Sequence, residues 1–360
     1  MNESAEPGLQ AGHRRRDSGP VPAPGTTQID EGYHMASDNI GGLVTVFGGS
    51  GFVGRHVVRA LARRGLRIRA ACRRPDLAGH LQPMGAVGQI MPVQANLRYP
   101  DSVVRAVEGA QAVVNCVGVL SPAGKQSFDA VHVDGARAIA RAAREAGVAR
   151  LLHISAIGAD KSSSAAYARS KAAGEAAVLE EFPDAIILRP SIVFGPEDEF
   201  FNRFASMARF SPLPLIGGGR TRFQPVFVGD LAAAVAACVV DGKGRPGAVY
   251  EIGGPEVLSF RDILDKTQSW AGRERGYLRL PFWLAKLQAL LTAPLPNAMR
   301  PVTLDQIRML QTDNVVSEAA KTEGRTLAGL GVTQPQAAAA IVPRYLERFK
   351  VRGQYAHYRG

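Results

Sequence analysis

The stretch Gly48-Gly49-Ser50-Gly51-Phe52-Val53-Gly54 constrains this chain more than any other feature of its 360 residues. It follows a short apolar run, residues 42–47, of buried-strand type, and it opens an apolar-periodic stretch, residues 55–65, that reads as a helix. Strand, glycine turn and helix in that order form the start of a βα unit that cradles a phosphate. Glycines let the turn take positive φ and let the backbone approach a pyrophosphate. The helix start adds unpaired N–H groups and a partial positive charge. Gly48, Gly49, Ser50, Gly51, Phe52, Val53 and Gly54 are therefore the first candidate binding residues.

The next strand, Leu66–Cys72, ends about 18 residues past Gly54. A carboxylate there would accept from the ribose 2′-hydroxyl of NAD. This chain instead has Cys72, Arg73 and Arg74, and a guanidinium binds a 2′-phosphate through two charge-assisted hydrogen bonds. NADP(H) is the expected cofactor, with NAD(H) the lesser expectation. Two arginines that merely solvate a loop are the plain alternative. Further strand-like runs at 113–118, 150–155 and 185–190 alternate with a helical pattern at 134–147. That alternation predicts an α/β, Rossmann-type doubly wound parallel sheet with a smaller C-terminal lobe for substrate or partner. Val117 and Gly118 fall in a small-residue turn beside the cofactor, and Asn96, Leu97 and Pro190 complete the candidate cofactor set.

Ser155 ends a strand, Tyr167 lies twelve residues on, and Lys171 follows four after that. Residues 167–180 read as a helix, so Tyr167 and Lys171 share one face. In carbonyl reduction a tyrosine phenol exchanges a proton with the carbonyl oxygen while nicotinamide exchanges the hydride. A neighbouring ammonium lowers the phenol pKa from ~10, and a serine hydroxyl hydrogen-bonds the substrate oxygen. Ser155, Tyr167 and Lys171 are the candidate catalytic residues, with Tyr167 and Lys171 also touching cofactor. A surface i,i+4 pair is the competing reading.

Together these residues resemble the short-chain dehydrogenase/reductase superfamily in its extended or atypical branch, over about residues 40–260. The segment Arg189-Pro190-Ser191-Ile192-Val193-Phe194-Gly195-Pro196 looks like that branch's nicotinamide-side segment. A more specific likeness rests on Lys161-Ser162-Ser163-Ser164, Lys171-Ala172-Ala173-Gly174-Glu175, Phe201-Asn202-Arg203-Phe204-Ala205-Ser206-Met207 and Gln224-Pro225-Val226-Phe227-Val228-Gly229-Asp230. These are similar to the nucleotide-binding accessory subunit family of respiratory complex I and its bacterial homologues. The resemblance implies a tightly held NADPH and contact with other complex I subunits. It also implies a peripheral place on the cytoplasmic face of the bacterial inner membrane, near the quinone entrance, without implying turnover. Extended enzymes carry an asparagine in the helix after the fourth strand, where this chain has His132. A freestanding NADP-dependent oxidoreductase or epimerase, cytoplasmic and acting on a small carbonyl, sterol or quinone precursor, is the alternative. A redox-sensing regulator is a third.

The net charge is +11, and residues 261–360 hold 15 Lys or Arg against 8 Asp or Glu. Such a basic third suits anionic lipid headgroups or an acidic protein face, although an Arg-rich composition alone would also produce it. The tail at 343–360 mixes five cations with aromatics but carries no RNA-binding motif, so no nucleic-acid partner is expected. Residues 280–291 are apolar on nearly every side and too short to span a bilayer. Three cysteines, Cys72, Cys116 and Cys238, show neither disulfide nor metal spacing, and no metal is expected. Residues 1–39 lack apolar periodicity and read as a disordered extension, with Met35 as an alternative start. The expected organisation is therefore 1–39, a nucleotide domain at 40–275, and a basic contact region at 276–360. A chain ended after Gly276 is expected to stay folded.

Overall fold

Seven short apolar runs become strands: β1 (Gly41–Phe47), β2 (Leu66–Cys72), β3 (Ile90–Gln94), β4 (Ala112–Asn115), β5 (Arg150–Ile154), β6 (Ile186–Pro190) and β7 (Val249–Ile252). They form one sheet in the order β7-β6-β5-β4-β1-β2-β3, and every neighbouring pair is parallel. This is a computed structural model, and it describes residues 41–350 other than 123, 125 and 294–301. The expected extension at 1–39, Met35, and the tail end at 351–360 lie outside the described residues.

Parallel strands need crossovers, and helices supply them on both faces. These are α1 (Phe52–Arg63), α2 (Pro100–Val107), α3 (Gly135–Glu145), α4 (Ala166–Glu181) and α6 (Val228–Val240), while α5 (Phe201–Met207) packs in the smaller lobe. Alternation along β1 shows why both faces are covered. Val44 and Val46 pack with Val57, Val58 and Leu61 of α1 and Leu231 of α6. Phe47 joins the opposite cluster with Val103, Ile139 and Val178 of α2, α3 and α4. Between these residues Thr45 is fully buried, and its hydroxyl donates to the Ala106 carbonyl at 2.6 Å. The doubly wound parallel sheet predicted from the sequence is present. Its strand order reverses beside β1, which places a crevice at the carboxyl ends of β1 and β4.

The helix expected at 134–147 starts earlier, as a π-helical turn over Asp129–Asp134 that holds the buried His132 and runs into α3. Gly174 of α4 presses on that turn: a Cβ there would fall 2.1 Å from the His132 carbonyl oxygen.

The rest of the chain adds α7 (Phe260–Trp270), α8 (Phe282–Leu291), α9 (Leu304–Met309), α10 (Glu318–Thr322) and α11 (Ala338–Leu346). Phe194, Phe201, Leu213, Phe260 and Val342 anchor a separate aromatic-rich core for this smaller lobe. The described residues group as one compact unit, and those after 276 bond to the residues before them. The Asn314 carbonyl accepts from Ser191 Oγ at 2.9 Å and from the Gln224 amide at 3.1 Å. The Arg325 guanidinium donates to the Val249 carbonyl at 2.6 Å, and the Gln336 amide donates to Asp230 at 2.6 Å. α8 is helical, as its pattern suggested, and buries Ala285 and Ala289 against Ile216, Leu280 and Ile307.

Candidate nucleotide site

Gly48 takes φ +73°, a conformation that side-chain-bearing residues rarely adopt. The turn folds so tightly that a Cβ on Gly54 would sit 2.1 Å from the Gly48 carbonyl oxygen. Gly51 caps α1 without a side chain, and the first turn of α1 contains no acid. The helix therefore meets the crevice with its amide groups and positive end uncompensated, as a pyrophosphate requires. Gly48, Gly49, Ser50, Gly51, Phe52, Val53 and Gly54 thus form one continuous turn at the carboxyl end of β1. The residues here fit a dinucleotide.

The two arginines after β2 part company. Arg74 folds back onto Asp76, with Nε to Oδ1 at 3.0 Å and Nη2 to Oδ2 at 2.8 Å. Arg73 is exposed and makes no hydrogen bond or ion pair within the described residues. The free guanidinium next to the glycine turn is therefore Arg73, while Arg74 must leave a solvent-exposed pair that is weakly held. Cys72 lies between them and the turn, with Ser50 hydrogen-bonded to its thiol, and burial pushes that thiol pKa up.

Asn96 and Leu97 follow β3. The Asn96 side-chain oxygen accepts from the Arg98 amide at 3.2 Å, which fixes the loop as an Asx turn. Leu97 fills the space above Gly135, where a Cβ would approach its Cδ1 to 2.5 Å. At the end of β4 the Asn115 side-chain oxygen accepts from the Val117 amide at 3.0 Å and sets the loop through Val117 and Gly118. A Cβ on Gly118 would stand 3.6 Å from Lys171 Nζ and 3.7 Å from His132 Nε2. The structure thus brings Gly118, Lys171 and His132 together. Pro190 ends β6, and its carbonyl accepts from the Ile157 amide at 2.9 Å, just past Ser155.

The Ser, Tyr and Lys residues are all present near the crevice, but their hydrogen bonds differ from the expectation. Ser155 Oγ donates to the Glu175 carboxylate, which is buried and held by Arg189 through contacts of 2.9 and 2.6 Å. The serine proton is committed to a carboxylate rather than offered to a substrate oxygen. Lys171 is 4% exposed, and its ammonium donates to the Ile154 carbonyl at 3.0 Å. Burial lowers its pKa to about 8, against the pull of Glu175. Two of its three protons remain for ribose hydroxyls. The Tyr167 ring is edge-on to Phe128 and His132, at centroid distances of 5.9 and 5.6 Å. Burial pushes the phenol up to about 12, with no lowering contribution from Lys171.

Around these residues lies a polar interior that the sequence showed only in part. The Val119 amide donates to His132 Nε2 at 3.1 Å, so the imidazole proton sits on Nδ1 and is given to Ser170 Oγ at 2.9 Å. The Ser170 hydroxyl in turn donates to the Tyr167 carbonyl at 2.8 Å. Burial lowers the His132 pKa to about 3, so the ring is neutral. His153 is likewise held at about 3, receives the Asn115 amide at 3.0 Å, and leaves its Nε2 without a partner among the described residues. Glu175 and Ser170 were legible as helix neighbours of Lys171 and Tyr167 at four and three residues, but no role was assigned to them. Two cavities contain none of the predicted residues, and the first borders the Tyr167 surroundings. One of about 420 Å³ is lined by Phe128, Ala166 and Ser170, and one of about 500 Å³ by His56, Arg59, Arg63 and Arg344. Among the described residues no cluster of metal-ligating side chains occurs.

Comparison with known proteins agrees with this geometry. The NAD dependent epimerase/dehydratase family matches residues 44–253. The chain is 35% identical over 305 residues to the mitochondrial NADH dehydrogenase (ubiquinone) 1 alpha subcomplex subunit 9 of Arabidopsis thaliana, covering 80% of this chain and 76% of that protein. It is 37% identical over 204 residues to the ceramide reductase of Caulobacter vibrioides, covering 56% of this chain and 62% of the other. Among solved structures, the NADPH-dependent quinone oxidoreductase of Escherichia coli complexed with NADPH superimposes with a TM-score of 0.64. It shares 19% identity and covers 84% of this chain and 99% of that one, a likeness of fold. With the glycine cradle, the parallel sheet and more than half of the chain in agreement, this chain belongs to the NAD dependent epimerase/dehydratase family.

Proposed function

We propose that the chain is an NADP(H)-binding accessory subunit of complex I that holds its nucleotide without turning it over. Support for the partner comes from the plant relative, which is named as a complex I subunit and aligns over four-fifths of this chain. Lack of turnover rests on one observation above all: the Ser155 proton is donated to the Glu175 carboxylate. Tyr167, raised rather than lowered in pKa, points the same way. Arg73 supports the phosphorylated nucleotide, since it is exposed and has no partner to give up among the described residues. When bound, the nucleotide would supply hydride chemistry. This chain's own residues would cradle the pyrophosphate at the α1 start, meet the 2′-phosphate with Arg73, and hold ribose hydroxyls with Lys171.

Attachment to the cytoplasmic face of the inner membrane rests on α8. Its Trp283, Leu287, Leu290 and Leu291 are exposed along one side, while Ala285 and Ala289 are buried on the other. Residues 277–304 contain no acid. A Trp- and Leu-bearing face flanked by Arg279 and Lys286 suits an anionic lipid surface or the quinone-site region of a membrane-bound assembly. No helix among the described residues is long and apolar enough to cross a membrane.

A freestanding NADP-dependent reductase is the second reading. The Tyr167 hydroxyl, which has no hydrogen-bond partner among the described residues, and the ceramide reductase relative favour it. Tyr167→Phe separates the two. In the accessory reading the variant keeps its nucleotide within a few-fold and still assembles. A robust carbonyl-dependent oxidation of NADPH in the unmodified chain, lost in the variant, would establish the reductase instead.

A further inference from the structure

We propose that Asp305 is a positioning residue of the nucleotide site, capping from a distant segment the helix that carries Tyr167 and Lys171. Through it, nucleotide binding is tied to the α8–α9 segment. The inference rests on the nucleotide-binding reading above.

α4 cannot cap itself. Its N-cap is Ala165, which has no acceptor, and its first turn contains no acid. The amides of Ala166 and Tyr167 are instead donated to Asp305, to Oδ1 at 2.6 Å and to Oδ2 at 2.9 Å. Both carboxylate oxygens are used, and the charge lies at the positive end of a sixteen-residue helix. One of the two amides belongs to Tyr167 itself, and Lys171 follows one turn later on the same face.

Asp305 is itself firmly placed. Thr303 and Gln306 form a reciprocal capping box at the start of α9. Ile307, fully buried, joins α9 to Ala285 and Ala289 of α8. The outer side of α8 is the exposed Trp283, Leu287, Leu290 and Leu291 face. A continuous packed path therefore leads from that face through α9 and Asp305 to the start of α4. Linkage is reciprocal, so whatever steadies one end strengthens binding at the other by the same factor.

The test is NADPH affinity by calorimetry and hydrogen exchange of the full chain with and without NADPH. In the unmodified chain NADPH should slow exchange both at the start of α4 and at residues 303–310. Asp305→Ala should weaken NADPH about fivefold, the usual loss for a missing cap, and should leave 303–310 unresponsive. Adding Ala165→Ser to that variant gives α4 a hydroxyl cap of its own. It should restore the affinity while 303–310 stay unresponsive, a split that simple destabilisation would not produce. Should Asp305→Ala fail to fold, Asp305→Asn, with one good acceptor and no charge, should give an intermediate loss. Unchanged affinity together with unchanged response at 303–310 in either variant overturns the proposal. No nucleotide binding by the unmodified chain would overturn the nucleotide reading and this inference together.

Discussion

The β1–α1 unit and the segment after residue 276 solve opposite problems. In the first, the glycine turn, its strand and its helix are neighbours in sequence, and their contacts span a few residues: Gly51 N–H to the Gly48 carbonyl at 2.9 Å, Arg55 N–H to the Gly51 carbonyl at 3.0 Å. In the second, the decisive polar contacts reach across the chain, as with Asp305 to Tyr167 or Asn314 to Ser191. The first builds a binding site from local backbone geometry. The second holds distant parts of the molecule in register, and its own small apolar cluster closes on Ile216 from outside the segment.

The largest effect that would break this contrast comes from removing the long-range partner. Ending the chain after Gly276 deletes Ile307, Val316, Ala320, Leu327, Leu330, Val342 and Leu346, each no more than 5% exposed, together with the Asp305 and Asn314 contacts. The expectation from sequence that such a chain stays folded is therefore reversed. It should be insoluble or lack a cooperative thermal transition by circular dichroism, and a sharp transition near that of the full chain would show the two regions to be separable.

A local change should be more selective. Gly54→Val places side-chain atoms against the Gly48 carbonyl, and the turn must open. NADPH binding by calorimetry should fall at least a hundredfold while the far-UV spectrum keeps its α/β form. Binding within tenfold of the unmodified chain would remove the glycine turn from the site. Smaller again is the contribution of the arginines. Arg73→Ala should cut the preference for NADPH over NADH by about tenfold, the scale of one charged hydrogen bond. Arg74→Ala, which only releases Asp76, should change it less. The reverse order would assign the 2′-phosphate to Arg74.

How much of this was legible follows the same contrast. The glycine turn and β2 ending at Cys72 could be read directly because their patterns are local. The π-helical turn before α3 could not, since it exists to seat His132 against Gly174, a contact across 42 residues. Type and spacing single out Ser155, Tyr167 and Lys171, but spacing is silent on where a hydroxyl proton goes. Glu175, four residues past Lys171, takes the proton expected for a substrate. Asp305 had no sequence signal at all, because nothing in residues 301–310 marks them as partners of a helix start at 166.

A separate prediction concerns acid. His132 and His153 have folded pKa values of about 3 against an ordinary 6.5. Between those values the unfolded chain binds more protons, so stability rises with pH and is lost as pH falls from 6.5 toward 3. Each ring contributes up to about 1.4 kcal/mol per pH unit. Melting temperature followed over that window should drop steeply, and His153→Gln should flatten the slope. An unchanged slope would mean that the His153 ring is not buried as a neutral group.

The most direct test of an NADP(H)-holding subunit is fractionation of membranes at native expression levels, with the nucleotide content of the fraction measured. The expected result is comigration of the chain with complex I after a high-salt wash, because apolar burial along α8 is not weakened by salt. About one NADP(H) per chain should accompany it, unconsumed by added carbonyl compounds. A chain that stays soluble at low salt, migrates alone and oxidises its NADPH on such compounds would contradict the central claim.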